Sequence, residues 1–174
     1  MRVSDAIAAR HSVRKYEDRA VEPEKMQRVL EAARLAPSAS NRQEWRFVVV
    51  QEQGLRKKLV EAARGQAFVG QAPVVIVACA AGTDHIMPCG LPSFSIDVAI
   101  ALDHLSLAAV EEGLGTCWIG AFDQQKVKAL LGIPDDVCVV ELMPLGYPAD
   151  AARPKQRKAL GEIAMRERWN QPWQ

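Results

Sequence analysis

The segment Arg10-His11-Ser12-Val13-Arg14-Lys15-Tyr16 concentrates two arginines, a lysine, a histidine and a hydroxyl in one short stretch. It falls where a first amphipathic helix, read from Ser4 as N-cap to about Arg10, comes to its end. A guanidinium is a planar fork that meets phosphate oxygens two at a time, and Ser12 adds a short donor for the same oxygens. Cations also favour a helix C-terminus for its dipole alone. A solvated charged helix end therefore explains this cluster as readily as an anion site does. A second basic stretch, Arg153-Pro154-Lys155-Gln156-Arg157-Lys158, lies near the other end of the chain. If that backbone is extended, Lys155 and Arg157 project to the same side. Alone they read as a basic surface turn; paired with the first cluster they make a cage for one phosphate.

Two further segments carry groups that can read a heterocycle. Pro37-Ser38-Ala39-Ser40-Asn41-Arg42-Gln43 offers hydroxyls, amides and free backbone groups, which suit the edge of a ring system. Ser and Asn are equally the residues of a helix stop and turn. Gly115-Thr116-Cys117-Trp118-Ile119-Gly120-Ala121 has glycines that permit close backbone approach to a ligand, or simply a tight entry into a strand. No G-x-G-x-x-G, P-loop or G-x-S-x-G pattern is present in the sequence, so the dinucleotide-fold, P-loop and serine-hydrolase readings have no support. His11, His85 and His104 are scattered, and His104 reads as a satisfied histidine inside a buried helix. None of the four cysteines stands in a C-x-x-C pair, and no metal site is expected. Cys79, Cys117 and Cys138 sit in apolar sequence and read as reduced core thiols. Cys89 lies in a Pro/Gly-rich loop.

The 174 residues fit one domain, 1–174, with a core of its own. A net charge of +1, with 49 % apolar and 25 % charged residues, argues against nucleic acid as a partner. No continuous apolar run reaches the ~18–20 residues of a membrane span, and the N-terminus lacks the apolar core of a signal peptide. A cytoplasmic protein is the expectation.

The elements that must position these groups follow from period and punctuation. Pro23 opens a helix whose Met26, Val29, Leu30 and Ala33 recur at helical spacing, and Pro37 stops it. Arg46–Gln51 reads as a strand, and about Gln53 to Ala63 as a surface helix. Pro73–Ala81 is a strand covered on both faces. Gly82–Ser95 shows no period and reads as a lid or binding loop. Ile96–Glu112 is a helix apolar nearly all round, hence buried in the core or in a subunit interface. Thr116–Ile119 is a short strand. A helix runs from the Asp123 cap to Leu131, and Val137–Leu145 is a further strand before Gly146-Tyr147-Pro148 turns the chain. Trp169 and Trp173 stand in a polar C-terminal stretch. The order predicts an α+β domain with a central sheet that is mixed or mainly antiparallel.

Taken together, the segments resemble the nitroreductase family. The resemblance is carried by R-H-S-V-R-K-Y after the first helix, A-P-S-A-S-N-R-Q-E-W-R-F-V-V-V, P-V-V-I-V and a buried helix. It continues through G-L-G-T-C-W-I-G-A-F-D, L-G-I-P and a late G-Y-P before K-x-R-K. It implies a nitroreductase-like fold, an intertwined homodimer, and FMN bound non-covalently at two sites in the subunit interface. Arg10, His11, Ser12 and Arg14 would contact the phosphate and the ring edge, with Lys155 and Arg157 closing on the phosphate. Pro37, Ser38, Ala39, Ser40, Asn41 and Gln43 would reach the flavin from the other subunit. Trp118, Ile119, Gly120 and Ala121 would lie against its reactive edge, with a backbone N–H near N5, and Gln66 would reach the ribityl chain. The implied activity is FMN-dependent oxidation of NAD(P)H with ping-pong reduction of a small organic acceptor, nitroaromatic- or quinone-like. The flavin carries the chemistry and no side chain is catalytic. A non-turnover FMN-binding carrier or sensor is the alternative. Larger family members carry an acidic residue near the position of Gly120, and the 82–95 loop is expected to shape substrate access. The choice between NADH and NADPH is not written in these motifs.

Overall fold

The computed structural model describes residues 1–152 and 154–173, so Arg153 of the basic stretch lies outside the described residues. The central strand decides the architecture. β2 (Val74–Ala80) is β-branched and apolar throughout, and all seven of its residues are buried. Because side chains alternate across a strand, one face presents Val74, Ile76, Ala78 and Ala80 and the other Val75, Val77 and Cys79. Each face needs its own cover. The first packs against Met26, Val29 and Ala33 of α2 (Pro23–Arg34) and against Val98, Ala101, Leu102, Leu105 and Ala109 of α5 (Ser93–Glu111). The second packs against Leu59 and Ala62 of α3 (Gln53–Ala62), Val69 of α4 (Ala67–Gln71) and Val127 of α6 (Gln124–Leu131).

β2 pairs antiparallel with β1 (Trp45–Val50) on one side and β4 (Cys138–Gly146) on the other, and β4 pairs antiparallel with the two-residue β3 (Gly115–Thr116). The order is β1-β2-β4-β3. The sheet is thus antiparallel; the parallel contribution is a single bridge between Ser12 and Thr116. The β2–β4 register breaks between Ala78 and Cys79, where Ala78 faces Glu141 and Cys79 faces Val139. Val140 is the extra residue of a β-bulge, the device by which a strand re-aims its side chains.

The remaining elements are α1 (Val3–Ala9) and α7 (Leu160–Ile163). α1 is capped two residues earlier than its sequence indicates: Arg2, not Ser4, is the N-cap, and its backbone N–H donates to Asp5 at 3.3 Å. α5 begins at Ser93 rather than Ile96. The Ser93 N–H donates to the His85 carbonyl, and a turn at Met87–Gly90 folds the preceding segment back, which shortens the loop to 82–92. The strand expected over 116–119 contracts to β3 plus a bridge between Ile119 and Leu142. β4 runs on through Gly146, so the chain continues past Tyr147 to pair Pro148 with Tyr16 instead of turning there.

α5 is not buried all round. Ile96 is 40 % exposed, and Ala99, Ile100, Leu107, Ala108 and Val110 are half-buried. By length and composition this helix is apolar enough to cross a membrane, although Asp97, Asp103 and His104 interrupt its apolar residues. One side of it is spent on the sheet.

Candidate functional site

α1 ends at Ala9, and Arg10 leaves the helical conformation at φ −54°, ψ 128°. The chain then runs extended. Val13 is fully buried, its N–H donates to the Thr116 carbonyl at 3.0 Å, and the Tyr16 hydroxyl donates to the carbonyls of Val13 and Pro144. Val13 and Tyr16 are the anchors. Arg14 stays exposed and Ser12 half-buried beside them.

The structure brings the two basic clusters together. Arg10, His11 and Ser12 line one cavity of about 600 Å³ with Pro154, Lys155, Gln156 and Arg157. Lys155 Nζ donates to the Ile7 and Ala8 carbonyls at 2.6 and 2.7 Å, at the C-terminal turn of α1. Its pKa is lowered by desolvation and then by the positive charges of Arg10 and Arg157. None of the residues lining the cavity carries a carboxylate. Like charges gathered without counter-charge are a site for an anion. Two buried polar atoms beside it, His11 Nε2 and Thr116 Oγ1, have no hydrogen-bond partner among the described residues, and such atoms are costly unless something satisfies them.

The segment after β3 forms a second part. Ile119 and Leu142 exchange backbone hydrogen bonds of 3.0 and 3.1 Å. Gln66, the N-cap of α4, donates from Nε2 to the carbonyls of Ala63 and Ala121. That places Gln66 beside Gly120 and Ala121. Trp118 is half-buried and lines a groove with Ser95, Ile96, Ala99, Ile100, Asp103 and His104. His104 is therefore a groove residue, half-exposed because α5 turns that face outward, and not the enclosed core histidine its sequence position indicated.

Glu141 completes this part, and reasoning from sequence missed it. Its Oε2 lies 3.8 Å from where a Cβ on Gly120 would stand, and no other atom comes within 4 Å of that point. Burial raises the Glu141 pKa to about 7, against a smaller opposing pull from the Ile119 N–H. The signal was one glutamate inside the apolar stretch VCVVELMPL. The Cys117 thiol is also raised, by burial first; Arg14, Ser12 and Arg10 pull it down and Glu141 pushes it up. The Cys117 thiol thus senses both the basic cluster and Glu141. Cys79 is pushed up to about 11 by burial, Cys138 is partly buried, and Cys89 is exposed.

The polar loop is strained and held by its own groups. Ser40, Asn41 and Gln43 all have positive φ, from 51° to 54°, a conformation that costs non-glycine residues on the order of 1–3 kcal/mol each and gathers at functional sites. Ser38 Oγ accepts from the Gln43 N–H, Gln43 Nε2 donates to the Asn41 carbonyl, and the Ala39 N–H donates to Asp97 Oδ1 of α5. Arg42 pairs with the buried Glu44 at 2.7 Å. Within one chain these hydrogen bonds lead to α5 and back into the loop. Among the described hydrogen bonds, none joins Pro37–Gln43 to Arg10, Ser12, Arg14, Lys155 or Arg157.

The nitroreductase family model matches residues 7–69 and 64–147. The NADH dehydrogenase of Thermus thermophilus is 32 % identical over 191 aligned positions, covering 92 % of this chain and 93 % of that protein. The FMN reductase (NAD(P)H) of Bacillus subtilis is 33 % identical over 172 positions, covering 89 % and 69 %. The crystal structure of a nitroreductase family protein from Clostridium novyi NT superposes with a TM-score of 0.82 at 33 % identity, covering 99 % of this chain and 97 % of that one.

Proposed function

The chain belongs to the nitroreductase family, and from that premise we propose that it is an FMN-dependent NAD(P)H oxidoreductase that reduces a small organic acceptor, nitroaromatic- or quinone-like, in ping-pong fashion. The observation that carries the reading is the cavity in which Arg10, Lys155 and Arg157 converge without a counter-charge. The residues fit a phosphate: two guanidiniums offer bidentate forks, the lysine is held in place by the α1 carbonyls, and the unpartnered His11 Nε2 lies at the wall.

FMN, when bound, supplies the hydride chemistry. The chain's part is to bind, orient and bias. Arg10, Lys155 and Arg157 hold the phosphate, with Ser12 and His11 as further donors. Arg14, exposed beside the buried Val13, would offer a positive charge to offset the negative charge that FMN gains on reduction. Gln66 and the 118–121 segment form the floor, and Gly120 lets the backbone approach a flat ring closely. The strained Pro37–Gln43 loop acts from a second copy of the chain, since its contacts within one chain do not reach the basic cavity. The half-exposed side of α5 is the surface that this second copy covers. Donor and acceptor would occupy the same site in turn, as ping-pong exchange requires.

The visible absorption spectrum of the purified protein, before and after anaerobic NADH and NADPH, tests the reading. A flavin spectrum that bleaches is expected, and the faster donor names the preference. A flavin spectrum that neither donor bleaches would mark a carrier or sensor. A colourless protein that FMN does not reconstitute would overturn the assignment.

A further inference from the structure

A carboxyl group of the pocket is unused by this reading. Glu141 stands on β4 at the bulge, where the extra residue Val140 changes the register and sets Glu141 opposite Ala78. It is half-buried, and no salt bridge to it is formed among the described residues. It approaches the 119–121 segment at the Ile119 N–H and across Gly120, where its Oε2 lies 3.8 Å from where a Cβ would stand. A residue larger than alanine at 120 would fill that space.

We propose that Glu141 is the proton-holding group of the cofactor pocket, taking up a proton as electrons arrive and giving it up as they leave for the acceptor. The proposal rests on the FMN reading above. The balance requires such a group. NAD(P)H delivers two electrons and one proton as hydride, breaking its C–H bond. A neutral acceptor reduced by two electrons gains two hydrogens, so one further proton must be supplied. The Glu141 carboxyl gives it, its O–H bond breaking as the acceptor's new bond to hydrogen forms. The carboxylate takes its proton back from solvent as the next pair of electrons arrives.

The electrostatics are consistent with this role. A carboxyl poised near the working pH, as this one is at about 7 through burial, exchanges protons most efficiently. The elements packed on β4 carry Cys79 on β2, Asp97, Asp103, His104 and Glu111 on α5, and Lys126 and Lys128 on α6. None of these groups acts on the Glu141 carboxyl. The titratable group that does sense it is Cys117, in the facing segment, whose thiol is also pulled down by Arg14 and Arg10. Negative charge entering the pocket therefore meets Glu141 without an intervening counter-ion, and favours its protonated form.

The test is the midpoint potential of the FMN-loaded enzyme followed from pH 5.5 to 9 by spectroelectrochemistry, for the wild type and Glu141→Gln. In the wild type the dependence on pH is expected to steepen as pH rises through about 7. A proton lost from the reduced ring itself would instead make the dependence shallower, so the two sources are distinguished by sign. Glu141→Gln is expected to retain FMN and lose the steepening. Identical curves for the two proteins, both loaded with FMN, overturn the role of Glu141 and leave the FMN reading intact. Failure of both proteins to bind FMN overturns both. A readout free of cofactor is the carboxyl infrared band of the FMN-free protein: a band titrating near 7 and absent in the variant is expected, and its titration in the ordinary carboxylate range overturns the proposal even where the variant does not fold.

Discussion

Lys155 donates from Nζ to the Ile7 carbonyl oxygen at 2.6 Å, which fastens the segment after β4 to the C-terminal turn of α1. The ammonium thereby has two functions, as a tie for the segment and as one of three cations at the cavity. Arg10 serves the cavity without that tie. Arg10→Ala is expected to weaken FMN binding by roughly 10–100-fold, the loss of about 1.5–3 kcal/mol that goes with a hydrogen bond to a charged group, while leaving the melting temperature nearly unchanged. Lys155→Met is expected to weaken binding and also to loosen the segment. Fluorescence titration of FMN alongside thermal melts separates the two; unaltered affinity in Arg10→Ala would sink the phosphate assignment.

Glu141 also predicts how stability changes with pH. Its folded pKa is raised by burial to about 7 from the ordinary 4.5, so the folded state holds the proton more tightly. The contribution is fully present below the unfolded pKa and is lost as pH rises through about 7. Glu141→Gln should therefore be more stable than the wild type at pH 8 and about equal at pH 4.5. The difference is on the order of 1 kcal/mol once solvent screening of a half-exposed group is allowed for. Urea unfolding at the two pH values measures it, and a gap that does not grow with pH would contradict the shift.

What the sequence disclosed and what it hid follow from the range of the interactions. The β2 stretch PVVIVACAA and the α2 repeat of Met26, Val29 and Ala33 announced themselves because burial imposes a local period. The cap at Asp123 was legible for a similar reason: its carboxylate serves N–H groups two and three residues on. The meeting of Arg10 with Lys155 and Arg157 was inferred only by pairing two clusters far apart in the chain. Glu141 was invisible as a site residue, since its importance comes from a register break against β2 and from an absent side chain at Gly120. The all-round apolarity of α5 pointed to the core or to a subunit interface, but it did not say which faces the chain itself would cover; in one chain Ile96, Ala99 and Ile100 are left partly exposed. The order of the β1-β2-β4-β3 sheet depends on pairings across the whole fold, which no local pattern encodes.

Gly115 marks where the cofactor-side backbone has no room to give. A Cβ there would stand 2.4 Å from Val13 Cγ2 and 2.9 Å from Pro148 Cγ. Val13 is fully buried and directly precedes Arg14, so relief must move the basic segment. Gly115→Ala is expected to destabilise by about 1–3 kcal/mol, the usual cost of overpacking, and to lower FMN affinity as well. Gly113→Ala, with open space about it but φ +75°, should destabilise without affecting binding. Equal FMN affinities for wild type and Gly115→Ala would show that the 10–14 segment is not positioned by this contact.

Tyr147 and Glu22 provide an acid-side counterpart. The Tyr147 hydroxyl donates to Glu22 Oε2 at 2.5 Å, and this bond first, then the Glu22 backbone and Arg19, lowers the Glu22 pKa to about 2. A depressed carboxyl contributes stability that is present above its unfolded pKa and lost as pH falls through the folded one. Tyr147→Phe should therefore unfold at lower urea than the wild type at pH 6, with the gap closing as pH falls from about 4.5 toward 2. A gap that is constant over this range would mean the hydroxyl stabilises through packing alone.

The second copy in the proposed function can be tested at Ile96. This side chain is 40 % exposed on α5 and lines the groove with Ala99, Ile100 and Trp118, so a charge there disturbs one chain little but has to be desolvated in an interface. Ile96→Glu is expected to shift the protein from dimer to monomer in light scattering. Because no hydrogen bond among the described residues joins the Pro37–Gln43 loop to the basic cavity within one chain, FMN should be lost in the same concentration range in which the dimer dissociates. A monomer that keeps its FMN would place the whole site in one chain and remove the role of the strained loop. A dimer that persists with FMN bound would leave the loop's role standing and move the interface away from this face of α5.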